Sequence, residues 1–176
     1  MLGRSSAVPI ATKKRALLAK SWRSLEPVER ADALGLAFGN ALVNSDEIRR
    51  SFEIDRPSPE REIFEHPKVQ EHAERVNEFL TQTIDLLEAA SDEEVKKLWQ
   101  KTASKHTKAR AQAWKMQNFK IFTAELSNQI VKAVMKKGSM KADGCEEVWN
   151  ALLEQITVEM RRVLYKGHSR KSLWHT

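Results

Sequence analysis

The chain has 176 residues, with 30 lysine plus arginine against 24 aspartate plus glutamate, for a formal charge of +6. That length supports one domain with a sizeable core, and the ordinary apolar content excludes a disordered composition. The excess charge sits at the ends: residues 1–15 carry +4 and residues 166–176 carry +3, leaving −1 for the body. A nucleic-acid partner is therefore not expected, although basic ends suit an acidic surface.

The first element is KKRALLAKSWRSL, with Leu17, Leu18, Trp22 and Leu25 at helical spacing and Pro27 breaking it. ERADALGLAFGNALV follows, with Leu34, Phe38, Ala41 and Leu42 on one side. Gly35 costs this helix about 1 kcal/mol against alanine, so it marks either a close helix–helix contact or a glycine that is merely tolerated. A short element, SDEIRRSF, leads into EIDRPSPEREIFEHP, where Pro57 and Pro59 predict a loop within the domain.

Pro67, after His66, opens the next helix. Within VQEHAERVNEFL, residues Val69, His72, Ala73, Val76, Phe79 and Leu80 share one face, which continues through Thr83, Ile84 and Leu87. That predicts about six turns. A histidine in an apolar stripe is the oddity of this helix.

Ser91 and Glu94 have capping-box spacing before the helix VKKLWQKTASKH. AWKMQNFKIFTAELSNQIVKAVMKK carries Phe119, Phe122, Leu126, Ile130 and Val134, with Gly138 as its stop. CEEVWNALLEQITVEMRRVLY carries Trp149, Leu152, Leu153, Ile156, Met160, Val163 and Leu164, with Gly167 as its end. No segment alternates as a strand does, so the expectation is an all-α domain of about six to eight helices.

Cys145 is the sole cysteine, so an intrachain disulfide is impossible and a reducing, cytoplasmic setting is expected. The opening MLGRSSAVPIATKKR lacks a signal-peptide core, and no run reaches the roughly 20 apolar residues of a membrane span. No phosphate-binding loop, HExxH, EF-hand or nucleophile-elbow motif occurs. Carboxylate pairs sit at helix starts, where the dipole accounts for them. Hydrolytic catalysis has no visible seat.

Five histidines remain. His168 and His175 lie near the C-terminal end, and His66 borders a helix start as a candidate cap. His72 and His106 fall well inside predicted helices. Leu98, Trp99, Thr102, Ala103 and His106 share a weakly apolar face. By pattern alone each reads either as a satisfied core histidine or as a titrating or metal-binding one.

Taken together, these segments resemble a globin, with particular likeness to the globins of nematodes. LLAKSWRSL is similar to the family's first helix, with its tryptophan at Trp22. EIRRSFEI resembles the corner whose phenylalanine, here Phe52, stacks on haem. HPKVQEHAERVNEF resembles the distal helix, with His72 at the distal histidine and Val76 one turn on. LWQKTASKH resembles the proximal helix, with His106 at the iron-binding position. FKIFTAEL and EEVWNALLEQITVEM resemble the last two helices. The corner's usual proline is replaced by Asp46 or a neighbour, and Thr102 stands where leucine is common.

The resemblance covers residues 12–166, leaving 1–11 as a flexible N-terminal tail and 167–176 as a C-terminal tail. It implies a globin fold packed around haem b, with His106 as iron ligand. Phe38, Phe52, Val76, Phe79, Phe119 and Phe122 would line the pocket, and Arg75 and Arg110 are candidates for the propionates. Phe38 falls where oxygen-avid nematode globins often carry tyrosine, with glutamine at the place of His72. A phenylalanine with a distal histidine is instead neuroglobin-like. This implies His72 as a second iron ligand and a six-coordinate, bis-histidyl haem serving electron transfer or redox signalling with an unidentified redox partner. The alternative within the family is a five-coordinate haem binding oxygen, nitric oxide or carbon monoxide. The alternative of another class is a haem-free helical interaction module with basic tails.

Overall fold

The computed structural model describes residues 8–54, 61–108, 116–138 and 141–169. Among these residues there are eight helices and no strand: α1 (Thr12–Arg23), α2 (Pro27–Asn44), α3 (Asp46–Ser51), α4 (Arg61–Phe64), α5 (Pro67–Glu88), α6 (Asp92–Lys108), α7 (Met116–Lys136) and α8 (Ala142–Ser169). The all-α expectation holds. The loop expected at Pro57 and Pro59 falls outside the described residues, and α4 appears at the end of the stretch read wholly as loop. No described helix is long and apolar enough to cross a membrane.

Local chemistry sets the helix ends. Pro27 opens α2, and Glu26 and Glu29 cap each other's backbone reciprocally. The Ser45 hydroxyl accepts from the Ile48 amide at 3.2 Å, with Asp46 and Glu47 in the first turn. This polar cap does the work of the absent corner proline. The Nδ1 atom of His66 accepts from the Lys68 amide at 3.2 Å, so His66 caps α5 as expected. Helix α5 has 22 residues, matching the six turns read from its stripe.

Gly138 follows α7 at φ +66°, a conformation that suits glycine. Gly167 does not end α8, which runs on to Ser169. One glycine costs a helix only about 1 kcal/mol, too little to stop one already held by its neighbours.

The most extensive helix pairings are α2 on α7, α6 on α8, α7 on α8 and α2 on α5, with α1 crossing α5 and α8. Two tryptophans lock the centre. Trp22 and Trp149 are buried with ring centroids 5.5 Å apart. The Trp22 indole donates to the Thr81 hydroxyl at 3.0 Å, and the Trp149 indole to the Ser21 hydroxyl at 3.0 Å. Trp99 of α6 donates to Thr83 of α5 at 3.1 Å. Each buried N–H thus has its acceptor, and the three bonds tie α1, α5, α6 and α8 together.

The close helix contact lies one turn beyond Gly35. A Cβ on Gly35 would meet only the Gln70 side chain, at 3.6 Å, an ordinary contact, whereas a Cβ on Gly39 would overlap the Phe64 ring. Gly39→Ala is expected to lower stability by about 1–2 kcal/mol even after its gain in helix propensity, because the Phe64 ring must shift. Gly35→Ala should leave it unchanged or higher. Thermal unfolding separates the two, and a Gly39→Ala melting point equal to the parent's would mean Phe64 yields without cost.

The N-terminal segment departs most from expectation. Residues 1–11 read as a flexible tail, yet Val8 and Ile10 are each only 3% exposed. The Arg15 guanidinium holds them there. It donates to the Ile10 carbonyl at 2.8 Å, the Val8 carbonyl at 3.1 Å, the Leu87 carbonyl at 3.3 Å and Asp92 at 2.6 Å. Asp92 also accepts from the Val8 amide at 3.0 Å. Lys14 pairs with Glu147 at 2.8 Å. Two charges assigned to a basic tail therefore belong to the folded body.

Candidate functional site

Four side chains from four segments meet at one end of α5. Phe38 of α2, Phe52 just after α3, His72 of α5 and Phe122 of α7 form one aromatic cluster. The His72 ring lies 4.7 Å from Phe38 and 5.0 Å from Phe52, both edge-on. Phe38 lies 6.2 Å from Phe52 and 4.2 Å from Phe122. Phe38 is buried, while Phe52, His72 and Phe122 are half-buried.

Val76 and Phe79, one and two turns along α5 from His72, are also half-buried and pack against the core. Phe119, one turn before Phe122, is buried. Of the side chains expected to line a pocket, Phe38, Phe52, His72 and Phe122 are in contact as one cluster, while Val76, Phe79 and Phe119 belong to the packed interior.

His72 makes no hydrogen bond among the described residues. Polar rings in apolar surroundings normally have one. Burial, with the charges of His106 and Arg75 adding to it, pushes its pKa down to about 4. At neutral pH His72 is therefore an uncharged imidazole with a lone pair to offer.

His106, half-buried on α6, has its Nδ1 atom 2.8 Å from the carbonyl oxygen of Thr102. A carbonyl only accepts, so the proton sits on Nδ1 and the lone pair on Nε2. Burial pushes the His106 pKa down, against the raising effect of the Thr102 carbonyl, and Lys105 adds to the lowering. Because the partner is a backbone carbonyl one turn earlier, threonine serves at position 102 as well as leucine would.

Arg75 is exposed and ion-paired with Glu71 on its own helix. Arg110 lies outside the described residues. Lys68, which no sequence pattern singles out, donates to the Phe52 carbonyl at 3.0 Å. An exposed lysine in a first helical turn carries no signal that distinguishes it from a solvated charge. Thr83 did carry one: a threonine within an apolar stripe fits an indole acceptor. Cys145 is buried, which pushes its thiol up and away from reactivity.

The donor set suits one kind of metal group. No cluster of three or more histidine, cysteine or acidic side chains able to hold a metal ion occurs among the described residues. Two imidazoles, one of them set among phenylalanines, fit an iron whose other donors come from a macrocycle with apolar faces.

No curated protein sequence matches the chain. The fold is similar to that of the globin-like protein Glb-12 from C. elegans, with a TM-score of 0.81, 19% sequence identity, and coverage of 96% of this chain and 98% of that one. A family model described as Globin matches residues 36–160, a span that contains Phe38, Phe52, His72 and His106 alike. With most of the chain matched, from the middle of α2 to near the end of α8, it belongs to the globin family, whose members generally bind haem.

Proposed function

We propose that the protein holds haem b between His106 and His72 and works as a bis-histidyl redox globin. The observation that carries this reading is His72: a neutral imidazole lying edge-on to both Phe38 and Phe52, with no hydrogen-bond partner among the described residues. A polar ring placed this way at a cost in burial is accounted for by a ligand that uses its lone pair.

When bound, haem supplies an iron(III)/iron(II) couple. His106 would bind through Nε2, with the Thr102 carbonyl fixing its tautomer and raising its basicity. Phe38 offers no hydroxyl, so a gas bound on the His72 side would find only His72 as a polar neighbour. Phe52 and Phe122 keep water from that side and favour a flat apolar face. Electron transfer benefits from ligands that change little between oxidation states, and two imidazoles held by packed helices meet that need. A redox partner would dock elsewhere on the surface. Oxygen, nitric oxide and carbon monoxide would each have to displace His72.

The test is the visible spectrum of the purified ferrous protein without added ligand. Sharp, split low-spin bands are expected, and His72→Ala should convert them to a broad high-spin band. A broad high-spin band in the parent would leave His72 as a hydrogen-bond donor to bound oxygen or nitric oxide. A preparation that stays colourless after incubation with haem would point to a haem-free interaction module.

A further inference from the structure

We propose that Lys68 is a positioning residue for His72, latching the corner that carries Phe52 onto the first turn of α5 and so setting how readily His72 gives way to an incoming ligand. Lys68 lies four residues before His72, about one turn away on the same side of the helix. Its ammonium donates to the Phe52 carbonyl at 3.0 Å and stands 3.6 Å from the Glu53 carboxylate. The Phe52 ring, one backbone away from that carbonyl, lies edge-on to His72 at 5.0 Å. One lysine therefore joins the two elements whose side chains touch at the site.

The corner is a place where such a tie matters. Phe52 is the last residue of α3's turn, its amide bonded to the Ile48 and Arg49 carbonyls. The next residue, Glu53, has φ +55°, a left-handed conformation that costs a non-glycine residue energy. The chain then returns through the Ile54 amide to the Arg49 carbonyl at 3.3 Å. A strained turn persists when its surroundings over-determine it, and Lys68 supplies a charge-assisted bond from outside the turn. On the other side of α5, Gln70 donates to the Phe64 carbonyl at 2.6 Å. The first turn of α5 is thus pinned to the corner by Lys68 and to α4 by Gln70. Without Lys68 the Phe52 backbone and α5 lose their hydrogen-bonded tie, and His72 can swing from its place at lower cost.

This inference rests on the bis-histidyl reading, and its test reads the latch separately from the ligation. Lys68→Ala, with Lys68→Arg as the conservative variant, is compared with the parent in the purified protein as isolated. Amide hydrogen exchange at Phe52, Glu53 and Ile54 should accelerate on the order of fivefold in Lys68→Ala, the loss of one charge-assisted hydrogen bond. Carbon monoxide capture by the ferrous protein should accelerate by a similar factor, and Lys68→Arg should restore both. Unchanged exchange overturns the latch. Faster exchange with unchanged capture overturns the positioning role, leaving Lys68 a merely structural residue. A high-spin ferrous spectrum in the parent sinks the ligation reading instead, and the latch is then judged on the exchange arm alone.

Discussion

Replacing His106 with alanine is expected to weaken haem binding by at least about 100-fold, more than is typical for loss of a partner one shell further out. His72→Ala should keep its haem. The asymmetry follows from how each ring is held. His106 has its tautomer fixed by the Thr102 carbonyl at 2.8 Å and sits on a helix anchored by buried Val95, Trp99 and Ala103. His72 has only aromatic edges around it and no hydrogen bond among the described residues to orient it. The helix α6 should survive the change, since Val95, Trp99 and Ala103 remain buried and alanine favours a helix. Haem content follows from the Soret-to-protein absorbance ratio, and haem transfer to a scavenging acceptor gives the loss rate. A smaller side chain, His106→Gly, should recover low-spin bands when free imidazole is supplied. A His106→Ala protein with the parent's spectrum and haem content would overturn the assignment. Thr102→Leu should leave the spectrum unchanged, because only the backbone of that residue is used.

The parts of this site that were legible in the sequence are those that repeat along a helix. The α5 stripe placed His72, Val76 and Phe79 on one face because side chains three and four apart share a face whatever packs there. The His66 cap, the six turns of α5 and the buried tryptophans were readable for the same local reason. Which side chain stands opposite His72 was not, since periodicity says nothing about which helix lies across; the pairing with His106 came from the family resemblance alone. Gly35 and Gly39 differ only in what lies across from them, so sequence could not tell the tolerated glycine from the one under a ring. Arg75 reads as a candidate for the propionates, and in the structure it is paired with its i−4 neighbour Glu71. Lys68 and Arg15 are the instructive misses. Both are basic residues near an element's start, and nothing local separates them from solvated charges. Each earns its meaning from backbone carbonyls distant in sequence. Val8 and Ile10 were lost likewise, since two apolar residues beside a proline have no period to detect.

Asp92→Ala is expected to cost about 2–4 kcal/mol, well above the half kilocalorie or so of a surface pair, because it strands a largely enclosed guanidinium. The side chains of Arg15 and Asp92 are 11% and 18% exposed. Removing the carboxylate leaves the Nη1 atom of Arg15 with only the longer 3.3 Å bond to Leu87, and leaves the Val8 amide without its acceptor. For a chain of this size that corresponds to a melting point lower by roughly 4–16 °C. The same pair predicts an acid sensitivity. The hydrogen bond from Arg15 is the main cause holding the Asp92 pKa below its ordinary value. A carboxylate depressed on folding contributes stability above its unfolded pKa, and that contribution is lost as pH falls through the folded value. The gap between parent and Asp92→Ala should therefore be full at neutral pH and close only below the ordinary carboxylate range. Arg15→Met with Asp92→Leu should be more stable than Asp92→Ala alone, since it leaves no stranded charge. The node also bears on the site, because it ties the end of the helix carrying His72 to the start of the helix carrying His106. Haem should then dissociate faster from Asp92→Ala than from the parent even at temperatures where both are folded. A melting point within a degree of the parent's would show that the strap and the α5–α6 corner are held by burial of Val8 and Ile10 alone.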